Sequence, residues 1–113
     1  MIHISTHVLD TSQGRPAANM PVTLEASAAD GSWALMGRGS TDGDGRLKEF
    51  ASTSGLGAGT YRLTFDTRSY FSSLNVRGLY PQVNIVFEAK DANGHYHIPL
   101  LLSPFGYSTY RGS

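Results

Sequence analysis

Residues 2–9 read Ile2-His3-Ile4-Ser5-Thr6-His7-Val8-Leu9, and their alternation of character sets the fold class. In an extended strand successive side chains point to opposite faces. Ile2, Ile4, Thr6 and Val8 therefore share one face, and His3, Ser5, His7 and Leu9 share the other. The same count over residues 95–102 puts Tyr96, Ile98, Leu100 and Leu102 on one face, with His95, His97, Pro99 and Leu101 opposite. If the more apolar sets make the core, all four histidines of the chain fall on outward faces. Water, a ligand or another subunit can reach them there.

Outward from these two segments, short stretches rich in β-branched and aromatic residues alternate with turn chemistry. The turns are Gln13-Gly14-Arg15-Pro16, Asp30-Gly31, Asp42-Gly43-Asp44-Gly45 and Asn93-Gly94, a punctuation typical of hairpins and short loops. The pattern predicts strands over 2–9, 20–28, 33–39, 46–51, 60–66, 82–90, 95–102 and 106–111, with one short helix over 67–73. Eight short strands in so small a chain imply an all-β sandwich or barrel. No internal repeat or low-complexity tract interrupts them. The Gly-rich segment from Ser54 to Gly59 reads as a connection flexible enough to serve as a mobile loop.

The chain has 113 residues, a length that fits one domain over 1–113 with a core of its own. Nine basic residues balance nine acidic ones, so no broad field favours nucleic acid or an anionic membrane. Without cysteine, stability cannot rest on disulfides and no thiol can act as nucleophile. No apolar run approaches the roughly 20 residues that span a bilayer, and the opening residues lack the pattern of a signal peptide. The ending Arg111-Gly112-Ser113 is not a peroxisomal signal, which makes the cytoplasm the default location.

Histidine titrates near neutrality and serves as general base, general acid or metal ligand. His95 and His97 stand at a spacing that some zinc sites use, with His7 as a third ligand. Against zinc stand the absence of cysteine and of an obvious neighbouring carboxylate, and the preferred reading has neither metal nor cofactor. Arg46 follows the Asp-Gly-Asp-Gly turn at a strand start, where a rigid backbone can aim its guanidinium at a planar anion. That turn lacks the further oxygen ligands of a calcium loop. The run Gly106-Tyr107-Ser108-Thr109-Tyr110-Arg111-Gly112-Ser113 is dense in hydrogen-bonding groups. It reads either as an edge strand ending in solvent or as a tail whose Ser113 and carboxylate enter a pocket.

Three parts of the chain resemble the hydrolase branch of the transthyretin family. They are Thr6-His7-Val8-Leu9-Asp10 with Gly14-Arg15-Pro16-Ala17, then Asp44-Gly45-Arg46, and finally residues 96–104 with the ending from Tyr107 to Ser113. The Tyr-Arg-Gly-Ser ending is the most specific mark. The resemblance implies a sandwich of two four-stranded sheets with one short helix, assembled as a homotetramer with its active sites at a subunit interface. It also implies a substrate, 5-hydroxyisourate, whose N1–C6 amide bond is hydrolysed to give 2-oxo-4-hydroxy-4-carboxy-5-ureidoimidazoline.

Carried over by position, the site comprises His7, Arg46, His97, Tyr110, Arg111, Gly112 and Ser113, while His3 and His95 are expected beside it or at the surface. With no nucleophilic motif in view, direct attack by an activated water is expected. His7 is the preferred base and His97 the orienting or acid group, an assignment that sequence leaves open. Arg46 would stabilise the oxyanion and Ser113 would hydrogen-bond substrate or water. A non-catalytic carrier of small aromatic ligands, a zinc-dependent or zinc-inhibited hydrolase, and a structural module are the rival readings.

Overall fold

The structure is a computed structural model that describes residues 1–50 and 55–113. In chain order the strands are β1 (His3–Asp10), β2 (Arg15–Pro16), β3 (Pro21–Ser27), β4 (Trp33–Ser40), β5 (Arg46–Leu47) and β6 (Gly59–Phe65). The helix α1 (Thr67–Ser73) follows, and then β7 (Val83–Ala89), β8 (His95–Ser103) and β9 (Gly106–Thr109). One sheet has the order β4-β3-β6-β7; the other runs β2-β1-β8-β9, with β5 also paired to β1. All pairings are antiparallel except β1 with β8, which is parallel.

The two sheets bury their apolar faces against each other. Ile4, Val8, Ile98, Leu100 and Leu102 come from one sheet, and Val22, Leu24, Leu63, Phe65 and Val83 from the other; all are buried. Thr6 lies on the apolar face of β1, and its Oγ1 donates to the Ile98 carbonyl at 2.6 Å. That bond removes the cost of an unpaired hydroxyl in the core.

The expected sandwich with one helix is present, and the helix spans the expected residues. Three details differ. The free edge of β1 carries two short strands, β2 and β5, so this sheet has five strands instead of four. The strand expected over 46–51 is a strand only at Arg46–Leu47, because the chain then turns so that Phe50 is buried in the core; residue 51 lies outside the described residues. The last strand stops at Thr109 instead of 111. Gly112 then pairs with His97 in an isolated bridge that keeps the register of β8 with β9. Pro99 explains the gap. Gly112 N–H donates to the His97 carbonyl, and two residues further Pro99 occupies the equivalent position without an N–H to offer. Of the Gly-rich loop expected from Ser54 to Gly59, Ser54 lies outside the described residues and Gly59 opens β6.

A buried carboxylate ties the helix to the first sheet. Asp10, fully buried at the end of β1, accepts from Ser12 Oγ at 2.6 Å and from Tyr70 Oη at 2.7 Å. The Ser12 and Gln13 N–H groups add to the set. Burial pushes the Asp10 carboxyl up, but the hydrogen bonds from Ser12, Tyr70 and the two N–H groups outweigh it and hold the carboxyl below its usual range. Burial, together with the Asp10 carboxylate, pushes the Tyr70 hydroxyl far up, so it stays a donor.

Two outcomes are expected. Tyr70→Phe leaves a buried carboxylate oxygen short of a donor and should cost about 1–3 kcal/mol in urea unfolding. Because the folded pKa of Asp10 is depressed, its contribution is present above the ordinary value of 3.8 and is lost as pH falls through the folded value. Melting temperature followed over acid pH should show that loss, and Asp10→Asn should reduce it.

Candidate active site

The parallel register of β1 with β8 sets His3 opposite His95, Ser5 opposite His97, and His7 opposite Pro99. Side chains of matched parity share a face, so the two strands present their histidines as two adjacent columns on the outer face. On the far side of β1, β5 pairs with it in a register that sets Arg46 opposite His7. Four of the residues singled out from sequence, His7, His97, Arg46 and Ser113, are thus drawn from four separate places in the chain towards one face.

Arg46 owes its place to the turn before it. Asp42 Oδ1 accepts from the N–H groups of Asp44 and Arg46 at 2.9 and 3.0 Å, which closes the turn. Gly45 adopts φ of +75°, and a Cβ there would overlap the Val8 carbonyl. A glycine is required on both grounds. The Val8 N–H donates to the Gly45 carbonyl at 2.8 Å, locking the turn to β1.

A groove of about 480 Å³ opens on this face, lined among others by His3, Ser5, Arg46, His95, His97 and Ser113. His7 stands at its side and does not line it. Its Nε2 lies 2.9 Å from the Asp44 carbonyl. A carbonyl can only accept, so His7 Nε2 carries a proton and donates it there. His97 is half-buried, and its imidazole is held below the ordinary histidine pKa by burial first, then by the charges of His7, His95 and Arg46. It is therefore neutral at pH 7 and able to take up a proton.

Ser5 is a member of the site that was not singled out from sequence. It is buried, with 6 % exposure, and its Oγ lies 2.8 Å from His97 Nδ1 and 3.0 Å from His95 Nε2. The alternation of β1 already set Ser5 between His3 and His7, but its two partners are visible only once β8 is known to be the neighbour.

The tail divides. Ser113 lines the groove. Gly112 sits against the His97 ring, where a Cβ would come within 2.6 Å of His97 Cδ2 and 3.2 Å of Pro99 Cγ. Arg111 turns to the opposite side of the sheet, where its guanidinium lies 4.5 Å from the centre of the Tyr96 ring and donates to the His95 carbonyl at 3.4 Å. Tyr110 is exposed. His3 and His95, expected beside the site, both line the groove. Among the described residues, no three histidines or acidic side chains are gathered as a metal would need.

The HIUase/Transthyretin family matches residues 4–112 of this chain. The chain is 42% identical to the 5-hydroxyisourate hydrolase of Salmonella dublin over 97% of its own length and 80% of that protein's. It is also 42% identical to the 5-hydroxyisourate hydrolase of Halalkalibacterium halodurans, over 97% of each. Among solved structures, transthyretin from Sparus aurata superposes with a TM-score of 0.90 at 32% identity, covering 96% of this chain and 95% of that one. The 5-hydroxyisourate hydrolase of Klebsiella pneumoniae superposes with a TM-score of 0.84 at 34% identity, covering 98% and 99%. With matched residues running from β1 through the bridge at Gly112, this chain belongs to the HIUase/Transthyretin family.

Proposed function

We propose that this chain is a 5-hydroxyisourate hydrolase that opens the substrate's N1–C6 amide bond by direct attack of water, without a metal or cofactor. The observation that carries this reading is the groove, which gathers a neutral imidazole, a guanidinium and the Ser113 end of the tail. The hydrolases among its relatives support the same activity.

In this reading water attacks the C6 carbonyl while an imidazole removes its proton. His7 is the preferred base at the level of sequence, which leaves the assignment open. Position favours His97, because it lines the groove and is neutral, whereas His7 is not among the groove's lining residues. His7 then orients, its ring fixed by the turn that also aims Arg46. Arg46 meets the negative charge that grows on the C6 oxygen, an interaction strongest where the substrate displaces water. Ser113 hydrogen-bonds substrate or the attacking water. Gly112 holds the tail by its bridge to His97 and Arg111 by its stack on Tyr96, while Tyr110 is left exposed beside them.

The homotetramer belongs to this proposal. Supporting it are large apolar side chains left open beside the β9 edge, among them Phe105 and Leu79 at 73% and 63% exposure. Tyr80 and Tyr107 pack edge-on there at 5.2 Å. Sedimentation of the purified chain checks the assembly.

The test generates 5-hydroxyisourate in situ from urate and follows its ultraviolet absorbance against spontaneous decay. Accelerated decay that survives a chelator is expected. Decay at the spontaneous rate by folded protein would favour a carrier instead. His97→Ala should reduce turnover by about 10²–10⁴-fold, the range for a positioned proton-transfer group. Arg46→Lys should reduce kcat by roughly 10²-fold, as for loss of one oxyanion donor. Deletion of Ser113 should remove most activity while circular dichroism stays unchanged.

The pH dependence follows from His97. A base must be neutral to act, and its pKa is depressed, so the acid limb of kcat/KM should fall below the ordinary value of 6.5. Arg46→Gln removes one of the charges that depress it, and should move that limb upward.

A further inference from the structure

The Ser5 hydroxyl holds one proton and touches two imidazole nitrogens. It can donate to one and must accept from the other, so when both bonds form, one of His97 Nδ1 and His95 Nε2 carries a proton and the other is bare. The two rings, on neighbouring strands, cannot choose their tautomers independently. Ser5 is buried, His97 half-buried and His95 exposed, so the three form a path from a partly covered imidazole to an open one.

We propose that Ser5 is a positioning residue that couples the two imidazoles, holding His97 with Nδ1 protonated and Nε2 bare towards the groove, and passing protons between His97 and the exposed His95. This rests on the hydrolase reading of the same site. Arg46 and Lys48, which line the groove, favour a lone pair over an N–H on the nitrogen left for substrate.

The proton steps balance. When His97 Nε2 takes a proton from the attacking water, its Nδ1–H proton passes to Ser5 Oγ and the Ser5 hydroxyl proton passes to His95 Nε2. One N–H and one O–H bond break and one of each forms, so the positive charge moves to His95, whose Nδ1–H is released to water. His97 is left neutral with Nε2–H, the form that protonates the departing N1. As it does so, the shifts run backward and His95 regains a proton from water, restoring the first arrangement. The second proton of the attacking water leaves as the new carboxyl group at C6 ionises.

Burial and the charges of His7, His95 and Arg46 disfavour a charged His97, which is why a captured proton gains by moving outward. The other groups facing the pair are His3 on β1, Lys48 and Glu49 after β5, and Arg111 of the tail at the His95 carbonyl. None of the hydrogen bonds of the described residues gives His97 Nδ1 a partner other than Ser5.

Imidazole ¹⁵N NMR of the resting protein reads the tautomers directly, and turnover of in situ 5-hydroxyisourate reads the consequence. The wild type should show His97 protonated at Nδ1. Ser5→Ala should shift His97 towards the Nε2–H form and lower kcat by about 10²-fold with KM within about twofold, as for a lost proton-transfer step. Ser5→Thr, which keeps the hydroxyl, should restore both readouts. His95→Gln, at an exposed position, should lower kcat and reduce the solvent isotope effect.

His97 found as Nε2–H in the wild type, normal kcat in Ser5→Ala, or a Ser5→Thr no better than Ser5→Ala would each overturn the coupling. If Ser5→Ala does not fold, the wild-type tautomer and His95→Gln decide. A wild type that shows the expected tautomer but no turnover would sink the hydrolase reading and leave the coupling standing.

Discussion

The parallel pairing of β1 with β8 is the constraint on which the rest of the molecule depends. It joins segments from opposite ends of the chain over eight matched pairs, from His3 with His95 to Asp10 with Leu102. A shift by one residue would turn every side chain of β1 to the other face. The histidines would then enter the core and Ile4 and Val8 would enter the groove. The packing of the sandwich therefore enforces the register of the site, because the same alternation that buries Ile98 and Leu100 puts His97 outside. Stability and chemistry are written on opposite faces of the same two strands.

This division explains what was legible in the sequence. Alternation revealed both strands, their apolar faces and the outward direction of all four histidines, since it depends only on neighbours in the chain. The short helix over 67–73 was also expected, and α1 occupies those residues. What the residues could not reveal was adjacency. Nothing in residues 2–9 says that residues 95–102 lie beside them, and so Ser5 was passed over although its face was assigned correctly. Resemblance to a family brought Arg46 and the tail into the site; strand periodicity alone left Arg46 an ordinary surface cation. The short strands β2 and β5 were misjudged for a related reason. The length of β5 is set by how long the chain can follow the edge of β1 before Phe50 is drawn into the core, and that is a property of the packed sheets.

The tail shows how two residues with unusual backbones cooperate. Pro99 withholds an N–H from β9 and breaks the ladder, and Gly112 restores it two residues further on by approaching His97 more closely than any side chain would allow. Between them Tyr110 and Arg111 depart from the strand, and Arg111 takes hold of Tyr96 on the other side. The chain end is thus pinned at two points on opposite sides of β8, which brings Ser113 to the groove.

The separation of β1 from β8 along the chain also has a consequence for biosynthesis. A strand whose long-edge partner lies some 90 residues downstream emerges from the ribosome well before that partner exists. In the interval its edge pairs only with the short β2 and β5 pieces. Pairings so distant in sequence form slowly, and an unpaired apolar strand is a template for association with other chains. Until β8 is made, the long edge of β1 is open to pairing with other chains. That period closes when His95 to Ser103 docks, the same event that first assembles the groove.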